Sequence, residues 1–343
     1  SDRLAALPGD RRDADPDRLA GGAAGDSALM TRHPYDPHWR FVLPARARSE
    51  PKLLVIGILL VEVMYLASLY LMEPFLQLVP LASPAEVAGG TSPRGLLIQL
   101  FSFVTLGLAV VLISRRLHGR GLASLIGQPG LALQQMLQVT LLLSIATLAI
   151  EFIPPDIELL SLAQMRPLGP WLALLPLALA ALLIQTGAEE LFYRGYIQQQ
   201  LAARFDQPWV WLVLPSLLFA SAHYAPKLPP VEAAHYMIWA FVFGLAAADL
   251  TARSGTLGPA IGFHLVNNAL AFLLFGEAGG MDSGLALFLF PSDPSQSLAP
   301  LPTMPHPLPS EDSDAIGLFD PGFLIELLGI GMLWAGARIA IRR

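Results

Sequence analysis

The sequence predicts an all-α, polytopic membrane protein with about eight transmembrane helices. Hydrophobic residues make up 54% of the 343 residues, and charged residues make up 14%. Because soluble domains carry about 25% charged residues, this composition indicates a chain that is solvated by lipid. The apolar residues are also gathered in stretches of about 20 residues, the length at which a helix crosses a bilayer.

The first 40 residues differ in composition from the rest of the chain. Residues 1–40 are rich in Asp, Arg, Gly, Ala and Pro, and we expect a disordered cytoplasmic tail there. The first apolar run begins at Leu53, which argues against a signal peptide. Residues 41–343 form the predicted transmembrane domain. The chain contains no cysteine, which excludes disulfides, thiolate metal sites and a cysteine nucleophile.

Eight apolar stretches follow the tail, and the fifth is the shortest. A helix rises 1.5 Å per residue, so about 20 residues span the hydrocarbon core. The predicted spans are Leu53–Met72, Gly95–Ser114, Met136–Ile153, Trp171–Tyr196, Trp209–His223, Ala233–Leu250, Leu257–Phe275 and Phe323–Ala340.

Lysine and arginine are unevenly distributed between the two sets of loops. With the N-terminus inside, most cations flank the inner ends of the spans, and the outer flanks hold Arg94, Arg166 and Lys227. The positive-inside rule therefore predicts that both termini are cytoplasmic. The pattern fits a bacterial inner membrane. The lipid bilayer is the expected environment, and no nucleic-acid partner is expected.

The segment 276–321 contains neither lysine nor arginine and is rich in acidic residues and proline. This composition predicts an extended extracytoplasmic loop or a cap over the outer end of the bundle. Within it, Leu285–Phe290 is apolar but too short to span, which suggests a position at the membrane interface. The last helix then occupies residues 322–343.

The fourth predicted span contains an unusual cluster of charge, Glu189, Glu190 and Arg194. Ionisable side chains within an apolar span are costly, so they indicate a functional site. Glu190 and Arg194 lie four residues apart on one helical face and are expected to pair. Glu189 points about 100° away from that face and stays free to act as a general base.

Two later spans carry polar residues with helical spacing. Phe219 and His223 are four residues apart, as are His264 and Asn268. Together with Glu189-Glu190 and Arg194, the order E-E-x-x-x-R, F-x-x-x-H and H-x-x-x-N resembles the CAAX-protease and bacteriocin-processing (CPBP) intramembrane proteases, also called the Abi family. The resemblance covers the core motifs within residues 170–275 and includes type II CAAX prenyl endopeptidases.

Peptide hydrolysis without a serine or cysteine nucleophile needs an activated water and donors for the developing oxyanion. Glu189 and His223 can activate the water, and His264 and Asn268 can present two N–H donors. The resemblance implies the same four catalytic residues and the same roles. Glu190, Arg194 and Phe219 are expected to support them by positioning and packing. Weaker candidates for lining the site are Asn267, Tyr193, His235 and Tyr236.

The same side chains allow a different chemistry. Glu189, His223 and His264 could bind zinc and leave one position open for water. However, they come from three spans and lack the H-E-x-x-H spacing of zinc proteases. We therefore favour a metal-free, glutamate-dependent mechanism without a cofactor, with zinc as the alternative.

The predicted function is that of an intramembrane endopeptidase. Its substrate would be a membrane-anchored or lipidated polypeptide that enters laterally between helices. One alternative is a non-catalytic membrane scaffold or a bacteriocin-immunity-type protein with the same fold. Another is a transporter with an ionisable midplane site. The polar residues could also serve only to hold helices together.

Overall fold

A computed structural model of the chain describes residues 34–151, 153, 160–291 and 320–342. Within these residues the protein is a bundle of apolar helices, as predicted. Six helices are long and apolar enough to cross a membrane, and two more are apolar but shorter. In chain order, the eight apolar helices are Pro51–Leu78, Pro93–His118, Pro129–Glu151, Leu168–Arg204, Pro208–Ala222, Pro230–Ser254, Gly258–Leu274 and Pro321–Ala340.

The surface of the bundle is apolar. Leu59, Leu66 and Tyr70 of the first apolar helix are 59%, 59% and 81% exposed. Large apolar side chains on the third and eighth helices are exposed as well, including Leu141 and Leu328. A soluble protein rarely exposes so much contiguous apolar surface. The chain is therefore an integral membrane protein, with lipid in contact with these side chains.

The disordered tail was predicted for residues 1–40, but the last residues of that range are folded. Residues 1–33 lie outside the described residues, but Asp36–Val42 form an α-helix and Leu43–Arg48 a 3₁₀-helix. Phe41 and Val42 are 4% and 0% exposed, so this segment belongs to the folded bundle. Further short helices are Pro84–Gly89, Leu122–Ile126, Leu160–Leu162 and Ser283–Leu285.

A small three-stranded sheet was not predicted. Strand β1 is Gln164–Met165, β2 is Phe275–Glu277 and β3 is Phe288–Phe290. Strand β3 lies between the other two, antiparallel to β1 and parallel to β2. The C-terminal half of the apolar run Leu285–Phe290 is thus paired in a sheet, where the backbone of Phe288–Phe290 finds hydrogen-bond partners. Residues 292–319 of the predicted loop lie outside the described residues.

The second apolar helix is divided by a short break. It consists of Pro93–Ser102 and Val104–His118, which meet at Phe103. The fourth apolar helix is continuous from Leu168 to Arg204, but its hydrogen bonding changes to the π-helical pattern over Leu191–Gln198. Such wide turns inside helices are frequently found at functional sites. This one begins directly after Glu190.

The seventh apolar helix packs unusually closely on the third. A Cβ atom at Gly258 would lie 2.0 Å from the Ala132 carbonyl oxygen, and one at Gly262 would lie 2.7 Å from that of Met136. Two small residues spaced four apart let membrane helices approach in this way. The contact fixes the rotation of the helix that carries His264 and Asn268.

Candidate active site

A cavity of about 180 Å³ lies inside the bundle. Its walls come from the second, fourth, fifth, sixth and seventh apolar helices, and they include the four predicted catalytic residues, Glu189, His223, His264 and Asn268. Phe219 also lines it. Residues from three separate motifs therefore meet around one space that has room for several water molecules.

Glu189 is the acid of the cavity that makes no ion pair with arginine. Its side chain is 11% exposed, and Oε2 lies 3.5 Å from Nε2 of His264. This buried oxygen accepts no hydrogen bond from the described residues. A buried carboxylate oxygen without a hydrogen-bond donor is energetically costly. Because Glu189 lines the cavity, a water molecule or an N–H group of the substrate can supply that donor.

Glu190 and Arg194 form the predicted ion pair. Arg194 Nη1 donates to Glu190 Oε1 at 2.9 Å, and both side chains are 0% exposed. Arg194 Nη2 also donates to the Gly244 carbonyl oxygen of the sixth helix at 3.1 Å. The guanidinium carbon lies 4.7 Å from the ring centroid of Phe219. The arginine thus joins three helices and faces inward.

His264 contacts both glutamates. Its Nδ1 lies 2.8 Å from Oε1 of Glu190, in addition to the Nε2 contact with Glu189. Glu190 Oε1 also accepts from Arg194, so we assign the carboxylate oxygen as the acceptor of this hydrogen bond and His264 Nδ1 as its donor. Sequence spacing did not reveal this contact, since it joins residues 74 positions apart.

His223 ends the fifth apolar helix. Its Nδ1 donates to the backbone carbonyl of Phe219 at 2.8 Å. Carbonyl groups in the last turn of a helix lack intrahelical partners, and a side chain four residues later can satisfy one of them. The F-x-x-x-H spacing therefore has a local structural reason. In the neutral imidazole, the proton on Nδ1 leaves Nε2 as an acceptor.

The Phe219 ring packs against the site residues, as predicted. Its centroid lies 4.2 Å from that of His223 and 6.0 Å from that of His264. The side chain is 1% exposed. Phe219 therefore restricts the orientations of both imidazoles while lining the cavity.

Asn268 has a partner that sequence analysis missed. Its Nδ2 donates to Oε1 of Gln185 at 2.8 Å, and its Oδ1 accepts from Asn267 at 3.2 Å. Gln185 lies one helical turn before Glu189 on the fourth helix, so the spacing of four could have indicated it. The contact fixes which atom of Asn268 is the donor.

Gln185→Met is expected to lower the activity of the folded protein by about tenfold to a hundredfold, because a misplaced catalytic group can cost that much. The substitution keeps the side-chain length but removes the acceptor for Asn268. Gln198→Met is a matched control, since buried Gln198 donates to the Ala248 carbonyl and does not line the cavity. Cleavage rates measured per amount of folded protein should fall for the first variant and stay near wild type for the second.

The weaker predictions have mixed outcomes. Tyr236 and Asn267 line the cavity. His235 stacks on Phe323 at 4.1 Å instead, and Tyr193 is buried against Phe192 and Phe219. Further lining residues that sequence analysis did not indicate are Leu96, Gln99, Leu100, Phe103 and Trp239.

The alternative zinc ligands are Glu189, His223 and His264. Among the residues that the structure describes, no group of three His, Cys, Asp or Glu side chains is arranged to hold a metal ion. Glu189, His223 and His264 line one cavity but do not form such a group.

Comparison with known proteins identifies the same segment. Residues 170–270 match the family model described as type II CAAX prenyl endopeptidase Rce1-like, which confirms the predicted family for this part of the chain. The protein YyaK of Bacillus subtilis (strain 168), described as uncharacterized, is 28% identical over 116 residues. That match covers 33% of this chain and 38% of the relative, little more than a third of its length. No solved structure matches the chain.

Proposed function

We propose that the chain, whose residues 170–270 match the Rce1-like CAAX endopeptidases, is an intramembrane endopeptidase. The observation that carries this proposal is the buried Glu189 carboxylate, whose Oε2 accepts no hydrogen bond from the described residues and faces a cavity shared with two imidazoles. The substrate is a membrane-anchored or lipidated polypeptide, and the attacking group is a water held in this cavity.

Glu189 and His223 activate the water. The water oxygen attacks the scissile carbonyl carbon, and its proton passes to Glu189 or to Nε2 of His223. When the tetrahedral intermediate collapses, the C–N bond breaks and the proton is transferred to the leaving amine nitrogen. The hydrogen bond from His223 Nδ1 to the Phe219 carbonyl supports this role, since it keeps Nε2 free to accept.

His264 stabilises the oxyanion as an imidazolium. Nδ1 already donates to Glu190, so Nε2 donates to the oxyanion only when it carries a second proton. A protonated His264 makes the buried group of Glu189, Glu190, His264 and Arg194 electrically neutral, with two negative and two positive charges.

Asn268 supplies the second donor. One N–H of its Nδ2 is bonded to Gln185, and the other remains to be directed at the oxyanion. Two preorganised donors in a buried site contribute far more than they would in bulk solvent.

The mechanism is metal-free. Chelation is therefore expected to leave cleavage unchanged, and elemental analysis of active protein is expected to find no stoichiometric zinc. Zinc at one equivalent, whose removal abolishes cleavage and whose return restores it, would instead support the metal alternative.

A second cavity, which we call the groove, supports lateral entry of the substrate. It measures about 560 Å³ and lies between the C-terminal half of the first apolar helix, the helix Pro84–Gly89 and the second apolar helix. Gln99 and Phe103 line both this groove and the catalytic cavity. Because Leu69, Met72 and Leu76 make its wall apolar, an apolar segment of the substrate can lie there beside the site.

Ser102→Trp tests this entry route. Ser102 lines the groove but not the catalytic cavity, so an indole there obstructs entry without touching the catalytic groups. We expect kcat/KM for a membrane-anchored substrate to fall by about tenfold or more, equivalent to about 1.4 kcal/mol. Cleavage of a short soluble peptide should change little. The control is Leu108→Trp, a position that is 64% exposed on the same helix.

The proposed function is tested on the membrane proteome. Cells that lack the protein are compared with cells that express either the wild-type chain or Glu189→Gln. New N- and C-termini of membrane polypeptides are expected only with the wild-type chain. Identical termini in all three strains would instead favour the non-catalytic scaffold.

A further inference from the structure

The catalytic cavity lies toward one end of the bundle. Leu96 and Gln99 belong to the first two turns of the second apolar helix, and Tyr236 and Trp239 lie in the second and third turns of the sixth. His223 follows the last residue of the fifth helix. Ala271 and Phe272 lie in the last turn of the seventh helix.

These helix ends lie at one end of the bundle. The N-terminal ends of the second and sixth helices lie at the same end of the bundle as the C-terminal ends of the fifth and seventh, because residues from all four line one cavity. The small sheet lies on this side too. The Asp282 amide donates to the Gly89 carbonyl and the Gly284 amide to the Gly90 carbonyl, both at 2.8 Å, which connects the sheet region to the loop before the second helix.

The opposite face carries most of the cations. In the described part of the chain, the basic residues at those helix ends are Arg40, Arg46, Arg48, Lys52, Arg115, Arg116, Arg120, Arg204, Arg253, Arg338 and Arg342. The face with the cavity holds Arg94, Arg166 and Lys227. Arg94 is paired with Glu86, and Arg166 donates to the Ser283 carbonyl. Membrane proteins retain such basic ends in the cytoplasm.

We propose that the catalytic cavity opens on the extracytoplasmic side of the membrane. The substrate class that follows rests on the proposed function. It is a polypeptide whose scissile bond has been translocated and lies outside, or in the outer half of the bilayer. A translocation step must therefore supply the substrate. A lipidated C-terminus that stays in the cytoplasm cannot reach the site.

The groove beside the cavity lies at the same end. It is lined by the C-terminal half of the first apolar helix and by Pro84, Ala85, Val87 and Ala88 of the short helix that follows. These residues belong to the connection between the first and second apolar helices, at the same end of the bundle as the catalytic cavity. The apolar part of the substrate consequently occupies the outer leaflet while the scissile bond lies near Glu189.

Single cysteines test the proposal directly, because these 343 residues contain none. Tyr224→Cys marks the loop after His223, where Tyr224 is 57% exposed. Ala271→Cys marks the cavity wall, and Arg116→Cys marks the basic face. Intact bacterial cells that express each variant are treated with a small, charged, membrane-impermeant thiol reagent, and labelling is compared with that of permeabilised cells.

Tyr224→Cys and Ala271→Cys are expected to react fully in intact cells, and Arg116→Cys only after permeabilisation. The reverse pattern would overturn the proposal, as would an Ala271→Cys variant that reacts only after permeabilisation or in neither state. Labelling does not depend on catalysis. Predicted labelling without any cleavage would therefore reject the proposed function and retain the direction of the opening.

Discussion

Glu189→Gln is expected to reduce peptide cleavage by about 10²–10⁴-fold or more, the range for loss of a general acid–base group. Glutamine keeps the size of the side chain and its hydrogen-bonding oxygen, but it cannot take a proton from the attacking water. The variant should still fold, because Glu189 makes no ion pair with arginine and its Oε2 accepts no hydrogen bond from the described residues. The measurement is the single-turnover cleavage rate of the folded variant.

The matched control for this prediction is Glu326→Gln. Glu326 is also an acid within an apolar helix, but it lies on the eighth and does not line the cavity. Its substitution should leave the cleavage rate near that of the wild type. Equal rates for Glu189→Gln and the wild type would remove Glu189 from the mechanism.

Glu190→Gln is expected to destabilise the protein by about 3–5 kcal/mol, because it leaves Arg194 buried without its partner. The ion pair is 0% exposed on both sides, and Glu190 Oε1 also receives the hydrogen bond from His264. The measurement is the free energy or midpoint of unfolding in detergent. The control Glu86→Gln alters the pair with Arg94, which is 64% exposed, and should have a smaller effect.

A double variant separates stability from activity. Glu190→Gln combined with Arg194→Met removes both charges, and replacing a buried pair by apolar side chains is often neutral. Stability should largely recover, but cleavage should not, since His264 Nδ1 has lost its carboxylate. Recovery of both would show that Glu190 acts only as a structural partner. An unchanged unfolding midpoint for Glu190→Gln alone would contradict a buried ion pair.

The helices and the charged cluster could be predicted because their signals are local. Runs of apolar residues identify spans whatever their neighbours are, and the spacing of four between Glu190 and Arg194 directly predicts a pair on one helical face. We predicted that Glu189, His223, His264 and Asn268 converge because their three motifs occur in the same order as in the family that the sequence resembles. All four line one cavity.

Other features depend on contacts between distant parts of the chain. The sheet pairs Met165 with Phe288 and Phe275 with the same residue, and such short strands have no local pattern. The hydrogen bond between His264 and Glu190 joins two helices. Because it occupies Nδ1 of His264, Nε2 can donate to the oxyanion only when it carries a second proton. Gln99 is an isolated polar residue in an apolar helix, and only the packing of the bundle brings it to the cavity.

The most direct test of the central claim is the origin of the oxygen in the newly formed carboxylate. Purified wild-type chain and Glu189→Gln are each incubated in ¹⁸O-labelled water with washed membranes from cells that lack the protein. Hydrolysis by a water in this cavity predicts new C-termini that carry one ¹⁸O atom with the wild-type chain and none above background with the variant. Labelled C-termini at equal rates with both proteins, or with neither, would contradict it.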